Sequence, residues 1–180
     1  MNIFYLDNNP RVCAEMHNDK HCVKMILEYA QLLSTAHRIL DGSPVITLNA
    51  SGRKRTVYEL ADADRNSILY SATHVNHPSA VWVRVSDKNY EWLFSLFQSL
   101  MEEYTYRYGK IHACTKLEIA LSNTPNNIPK SYFTEPTPAM PDDCKIAGDS
   151  IASYKNYYIM NKTHLANWKK RPVPEWYITK

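Results

Sequence analysis

The fold is organised around residues 19–42, DKHCVKMILEYAQLLSTAHRILDG, which we expect to form one helix. At about 3.6 residues per turn, one side of this helix carries a narrow polar stripe. The stripe consists of His21, Lys24, Glu28, Gln31 and Thr35. The other sides are apolar over more than the roughly 100° arc of an ordinary surface helix. We therefore expect a helix buried on three sides whose polar stripe faces a cleft, because isolated buried charge is costly.

Both ends of this central helix carry recognisable signals. Asn18 or Asp19 is suited to cap its start, and Gly42 stands where a left-handed residue commonly ends a helix. If the helix begins one turn earlier, His17 extends the polar stripe. Upstream, residues 2–7 predict a short extended arm, and Pro10 predicts the first turn of a short helix ending near His17.

The remaining chain alternates helical patterns with irregular stretches. Residues 43–56 predict a loop in which residues 45–48 are the one candidate for a short strand, and the Pro-rich residues 124–143 predict a long irregular connection. The long helix after Ser86 should turn Glu102 and Glu103 to solvent. Further helices are expected over 57–71, from Pro78, over 87–109, over 111–121 and over 150–161, followed by an extended aromatic tail. The prediction is a mainly α, compact, irregular all-helical single domain spanning residues 1–180.

Composition excludes several classes of protein. The N-terminus lacks the basic start of a signal peptide, and no apolar run approaches the length of a membrane span. We therefore expect no membrane partner and a cytoplasmic protein with its four cysteines reduced. Four scattered glycines cannot build a phosphate-binding loop, so we expect no nucleotide cofactor and no other cofactor.

Two basic clusters indicate contact with nucleic acid. Arg53, Lys54 and Arg55 follow Gly52 in a predicted loop, and the second cluster lies near the C-terminus. That second cluster consists of Lys169, Lys170 and Arg171. The alternative interpretation is a solvated loop and a solvated tail. The net charge of +3 is too small to decide between the two.

A further candidate site is the loop before Pro78. His74, Asn76 and His77 precede the expected start of a short helix, whose free N–H groups favour anions, and Arg84 lies later in the same segment. We expect these residues to join His17, Lys24 and Gln31 as substrate contacts.

The most specific pair of residues is His21 and Glu28, two helical turns apart with Lys24 between them. In a cleft, such a carboxylate acts either as an electrostatic stabiliser or as an acid with a raised pKa. The structural alternative is an intrahelical pair between Lys24 and Glu28 with a histidine bound in the core. A zinc site at Cys13, His17 and His21 is another alternative, but the expected cap at residues 18–19 separates the two histidines.

The run Asp19-Lys20-His21 followed by Glu28 resembles the central-helix signature of the phage pyrimidine-dimer DNA glycosylase and AP lyase family. The order of the later pieces is also similar, from the histidine loop at 74–77 to the aromatic tail at 174–177. The resemblance implies an all-helical fold in which an N-terminal amine attacks C1′ of a damaged nucleotide. It also implies Glu28 as the catalytic carboxylate and His21 as a catalytic-site contact to the substrate.

Three positions depart from that family. Leu27 and Gln31 stand where arginines are expected, so Lys24, Arg38 or Arg84 would have to supply phosphate contacts. Asn2 is too large for ready removal of the initiator methionine, which makes Met1 the nucleophile. The first hypothesis is thus a metal-free DNA glycosylase or lyase acting on a damaged or modified nucleotide. The second is a non-catalytic module, such as a phage accessory protein, that binds nucleic acid or a nucleotide in the same groove. A phage protein of either kind is expected in the host cytoplasm.

Overall fold

The computed structural model describes residues 1–178 and confirms the mainly α class. Helices α2 and α5 form the centre of the fold, where α5 also packs against α1 and α4. The helices are α1 Pro10–Met16, α2 Asp19–Asp41, α3 Ala63–Ile68, α4 Pro78–Val85, α5 Asp87–Tyr108, α6 Glu118–Leu121, α7 Ser150–Asn161 and α8 Glu175–Ile178. Short 3₁₀ turns occupy Ala113–Leu117, Asp142–Cys144 and Thr163–Leu165. No helix within residues 1–178 combines the length and apolarity needed to cross a bilayer.

The central helix α2 has the expected bounds. The Asn18 side chain caps it by accepting the His21 N–H at 2.9 Å. Gly42 has φ −91°, so the predicted left-handed ending is wrong. A Cβ atom at Gly42 would lie 2.4 Å from the carbonyl oxygen of Arg38, and glycine is therefore required by space rather than by φ.

The prediction that α2 is buried on three sides is wrong for its first half. Val23 and Leu27 are each 40% exposed, and Lys20 and Lys24 lie beside them in solvent. Helices α4 and α5 pack against the other sides of α2 and leave this one uncovered. From Leu32 to Arg38 every residue is buried, as expected.

Residues 43–59 form an antiparallel two-stranded ribbon rather than a loop. Strand β1 spans Ser43–Leu48 and strand β2 spans Lys54–Glu59, with Ile46 opposite Thr56 and Leu48 opposite Lys54. β-Branched residues concentrate in both strands, and such residues favour extended backbone. The fold is consequently mainly helical but not all-helical, and α3 is shorter than predicted because β2 takes residues 57–59.

Two other predicted segments differ in detail. The expected helix over 111–121 is divided into a 3₁₀ turn, Ala113–Leu117, and the single turn of α6. The Pro-rich stretch is irregular, as predicted, and lies against the start of α5. There, the Asp87 carboxylate accepts the Ser131 N–H at 3.0 Å, and the Asn89 side chain accepts the Thr134 N–H at 2.9 Å.

The C-terminal segment is attached to the core by a buried ionic network. The Arg107 side chain is fully buried and contacts Glu103 at 2.6 Å and Asp19 at 3.0 Å. Arg171 contacts the second oxygen of Glu103 at 2.8 Å and Glu15 at 3.2 Å. The predicted exposure of Glu103 is therefore wrong, because two arginines enclose its carboxylate.

Candidate active site at the N-terminal amine

The N-terminal arm is buried beside α2. Residues 3–6 are all buried, as expected for an extended segment covered on both faces. The Phe4 N–H donates to the Tyr29 hydroxyl at 3.2 Å, and the Cys13 thiol donates to the Phe4 carbonyl at 3.2 Å. The first residue of the chain is therefore held at a fixed position along the central helix.

That position places the Met1 nitrogen next to Glu28. The distance from the amine to Glu28 Oε2 is 4.0 Å, and Lys24 Nζ lies 3.1 Å from Glu28 Oε1. The side chains of Met1 and Glu28 are 5% and 15% exposed, whereas that of Lys24 is 70% exposed. The carboxylate thus lies between a largely buried amine and a solvent-facing ammonium group.

The loop at residues 71–77 closes another side of this cluster. Thr35 of α2 holds the loop, since its hydroxyl donates to the Thr73 carbonyl at 3.4 Å and accepts the Thr73 N–H at 3.2 Å. Arg84 donates to the Val75 carbonyl at 2.7 Å. His74 has φ +49°, a backbone conformation that is uncommon for residues other than glycine.

His77 begins α4 and faces the same charges. Its Nδ1 accepts the Ser79 N–H at 3.2 Å, so the imidazole acts as the helix cap. Burial lowers the pKa of His77, and the positive charges of the Met1 amine and of His74 lower it further, against the opposing effect of Glu28. His77 is consequently a neutral imidazole at pH 7 beside an amine and a carboxylate.

His17 and His21 lie in the core instead of in a cleft. His17 Nδ1 donates to the Cys13 carbonyl at 2.7 Å, and its Nε2 is hydrogen-bonded to the Tyr29 hydroxyl at 2.9 Å. His21 Nδ1 is hydrogen-bonded to the Tyr158 hydroxyl at 2.6 Å, and its ring stacks on Phe4. Burial lowers the pKa of His17 to about 4 and that of His21 to about 3.

In this arrangement neither imidazole is placed to contact a ligand. His17 is fully buried because it caps the end of α1 and lies outside α2, which removes it from the polar stripe. His21 is 6% exposed. Within residues 1–178, no group of three histidine, cysteine or acidic side chains is arranged to hold a metal ion.

The other candidate residues are dispersed. Gln31 is half-buried on the stripe, and Asn76 is exposed on the loop. Arg84 and Arg38 donate to backbone carbonyls, so both guanidinium groups stabilise the fold. Arg53 lies at the turn of the ribbon, Lys54 and Arg55 begin β2, and all three are exposed.

The C-terminal basic cluster is largely engaged within the protein. Lys169 lies over the Tyr108 ring, while Lys170 and Arg171 lie against the Tyr106 ring. Arg171 is also bound by the two glutamates of the buried network. Lys169, Lys170 and Arg171 therefore attach the tail to α5. The ammonium groups of the two lysines remain near the surface.

Five cavities of the described residues 1–178, of about 100 to 650 Å³, are lined by residues other than His21 and Glu28, so none of them is the ligand-sized hollow expected along the stripe. Glu28 is 15% exposed and contacts the exposed Lys24, so a ligand would approach the carboxylate from the surface beside Lys24.

Comparisons were made with family models, with curated proteins and with solved structures. None of the three gave a match. The candidate site comprises the Met1 amine, Glu28, Lys24, His74 and His77. Sequence reasoning named all of these residues, but it did not anticipate that Thr35 and Thr73 hold the loop in place.

Proposed function

We propose that this protein is a DNA glycosylase or lyase-like enzyme that uses the Met1 amine as its nucleophile and Glu28 as its catalytic carboxylate. The observation that carries the proposal is the 4.0 Å separation of the Met1 nitrogen and Glu28 Oε2. An amine brought to a carboxylate in a largely buried position is suited to covalent catalysis at an electrophilic carbon. The unperturbed pKa of an α-amine is about 8, which leaves an appreciable neutral fraction at pH 7.

The chemistry follows from these two groups. The lone pair of the amine attacks C1′ of the nucleotide, and the C1′–N bond breaks with its electron pair leaving on the base. The departing base takes up a proton from solvent. The proton lost by the amine passes to O4′ as the sugar ring opens, and a protonated imine remains at C1′. The negative charge of Glu28 stabilises this cation at a distance where Coulomb attraction is strong but no direct hydrogen bond forms.

The imine accounts for the lyase step. It acidifies the C2′ proton, whose removal by a neutral base expels the 3′ phosphate and breaks the C3′–O bond. His77 is a neutral imidazole whose pKa is lowered by burial and by the charge of the Met1 amine, and it is the candidate to accept that proton. Hydrolysis of the imine returns the free amine, so the cycle needs no metal ion and no cofactor.

Borohydride trapping tests this proposal directly. Reduction of the imine should join the protein covalently to an oligonucleotide that carries an abasic site, and peptide mapping should place the adduct on Met1. Glu28→Gln should lower the trapping rate by about 100-fold, a loss typical of removing one catalytic carboxylate. Glu91→Gln is the matched control, because Glu91 is exposed on α5 and pairs only with Lys88.

Lys24 is the competing amine, since its Nζ lies nearer to Glu28 than the Met1 nitrogen does. Lys24→Met should still be trapped, whereas a Gly-Ser extension before Met1 should abolish trapping by displacing the amine. Intact mass measurement of the purified protein establishes which residue carries the free amine. Absence of an adduct under all conditions, or an adduct on Lys24, contradicts the proposal. If no adduct forms under any condition, the remaining hypothesis is a module that binds nucleic acid without catalysing a reaction.

A further inference from the structure

The ribbon at residues 43–59 carries an exposed outer face. Its inner face carries the half-buried Val45, Thr47 and Val57 together with the exposed Ser43, Arg55 and Glu59. The alternation of side chains along a strand then places the opposite set outward. That outer face contains Pro44, Ile46, Leu48, Lys54, Thr56 and the half-buried Tyr58. Ile46 is 71% exposed and Leu48 is 65% exposed, although both are large aliphatic side chains.

The ribbon has an excess of positive charge. It contains three cations, Arg53, Lys54 and Arg55, at its turn and one acidic residue, Glu59, at the opposite end of β2. The turn between the strands is well ordered by its own contacts, because the Asn49 side chain accepts the N–H groups of Ser51 and Arg53 at 3.0 and 2.9 Å. The three cations are therefore presented at the end of a defined structure, where they attract a polyanion.

The base of the ribbon carries charges of both signs. Arg38 is 6% exposed, and it donates hydrogen bonds to neutral oxygens of residues 58, 66, 69 and 70. A cavity of about 320 Å³ lies between Arg38 and the ribbon, and its walls include both Arg55 and Glu59. The Glu59 carboxylate offsets part of the charge of the two guanidinium groups, so the excess positive charge of the ribbon lies at its turn, in residues 53–55.

We propose that this ribbon enters the major groove of duplex DNA, with Ile46 and Leu48 against the bases and residues 53–55 against phosphates. The inference rests on the proposed function, which makes duplex DNA the polymer in question. The strands of a ribbon lie about 4.8 Å apart, and a groove about 12 Å wide admits two of them with their side chains. Aliphatic side chains in the groove contact thymine methyl groups.

The position of the ribbon also suits this role. Arg38 is ten residues from Glu28 on α2, which corresponds to about 15 Å along the helix. One turn of duplex, about 34 Å long, is therefore longer than the separation of Glu28 from the base of the ribbon along α2. A second copy of the chain is a poorer occupant of the outer face, because ribbon pairing would bring six cations together.

The test measures binding to an undamaged 30-base-pair duplex by fluorescence anisotropy at several salt concentrations. Ile46→Ser/Leu48→Ser should raise Kd at least tenfold. Replacing Arg53, Lys54 and Arg55 by alanine should reduce the salt slope of log K by about 2 to 3, because each phosphate contact contributes about 0.9. Both variants should keep the unfolding midpoint of the wild type, since the substituted side chains are exposed.

Two matched variants serve as controls. Ile111→Ser/Ile119→Ser removes two aliphatic side chains that are 78% and 87% exposed elsewhere on the surface. Replacing Lys110, Lys116 and Lys145 by alanine removes three exposed cations. Both controls should bind the duplex within twofold of the wild type.

Three results would overturn the inference. The first is duplex binding by the ribbon variants within twofold of the wild type. The second is binding to anionic phosphatidylserine vesicles that depends on Ile46 and Leu48 while duplex binding does not. The third is self-association that the same substitutions abolish without any effect on duplex binding.

The design separates this inference from the proposed function. Borohydride trapping on a five-nucleotide abasic single strand, too short to reach the ribbon, should be unchanged in the ribbon variants. If trapping fails while duplex binding depends on the ribbon, the enzymatic proposal alone is wrong. If trapping succeeds while the ribbon variants bind duplex normally, the ribbon inference alone is wrong.

Discussion

Acidification from pH 7 to pH 5 should destabilise this protein strongly, because three imidazoles are buried in neutral form. Besides His17 and His21, His37 is fully buried between Arg65, which donates to its Nδ1 at 2.6 Å, and the Tyr90 hydroxyl. Burial lowers the pKa of His37 to about 3. All three folded-state values lie below pH 5, whereas the unfolded value is about 6.5.

The sign and size of the effect follow from linkage. Between pH 6.5 and the folded pKa values, only the unfolded chain binds the protons, so the free energy of unfolding falls as the pH falls. At pH 5 each histidine contributes a loss of about 2 kcal/mol relative to pH 7, at about 1.36 kcal/mol per pKa unit. Three of them give about 5 to 6 kcal/mol, comparable to the whole stability of many domains.

Urea unfolding at pH 7, 6 and 5 measures this change. Carboxylates with a lowered pKa, such as Glu103, titrate below this window and add little to it. His164→Asn is the matched control, because His164 is exposed and its removal should leave the pH dependence unchanged. Nuclear magnetic resonance provides a second readout, in which three of the seven imidazoles should not titrate above pH 5. A loss below about 2 kcal/mol would show that these histidines are not held neutral, which refutes the reasoning.

Three substitutions test the packing of the fold by urea unfolding. Arg107→Met should lower the free energy of unfolding by about 3 to 5 kcal/mol because Glu103 loses a buried partner, and a loss under 1 kcal/mol would contradict the network. Gly42→Ala should lower the free energy of unfolding by about 1 to 3 kcal/mol, since the added methyl group would overlap the Arg38 carbonyl oxygen. Unchanged stability would mean that the backbone at the end of α2 moves to accept the methyl group at no cost. Gly109→Ala should cost about 1 kcal/mol because Gly109 has φ +65°, and a gain in stability would be inconsistent with that conformation.

Local signals predicted the helices well where capping and periodicity agreed. Asn18 before α2, Ser86 before α5 and Pro78 at the start of α4 marked helix starts that the structure confirms. The position of Gly42 predicts a left-handed end of α2. That prediction is wrong, and the actual reason for the glycine, crowding against the Arg38 carbonyl, has no signal in the neighbouring sequence. Only β1 of the ribbon has a signal in the sequence, at residues 45–48. Strand β2 has none, because three cations precede Thr56 and Val57 and interrupt the alternation of a half-buried strand.

The candidate site was predictable only in part. Glu28 and Lys24 share a face of α2 by helical geometry, and the resemblance suggested the amine as their neighbour. His21 lies on that same stripe, yet Phe4 and Tyr158 enclose it from segments far away in sequence. Similarly, Glu103 follows the outward pattern of α5 until Arg171 of the tail covers it.

The sequence by itself determined the mainly helical class, the bounds of the long helices and the order of charges along α2, because these depend on neighbours within a few residues. Tertiary structure alone decided which charges meet. A buried arm carries the Met1 nitrogen to Glu28, a loop held by Thr35 brings His77 beside it, and packing withdraws His17 and His21 into the core. Such contacts join residues distant in the chain, and their geometry depends on how the whole core packs rather than on any local pattern.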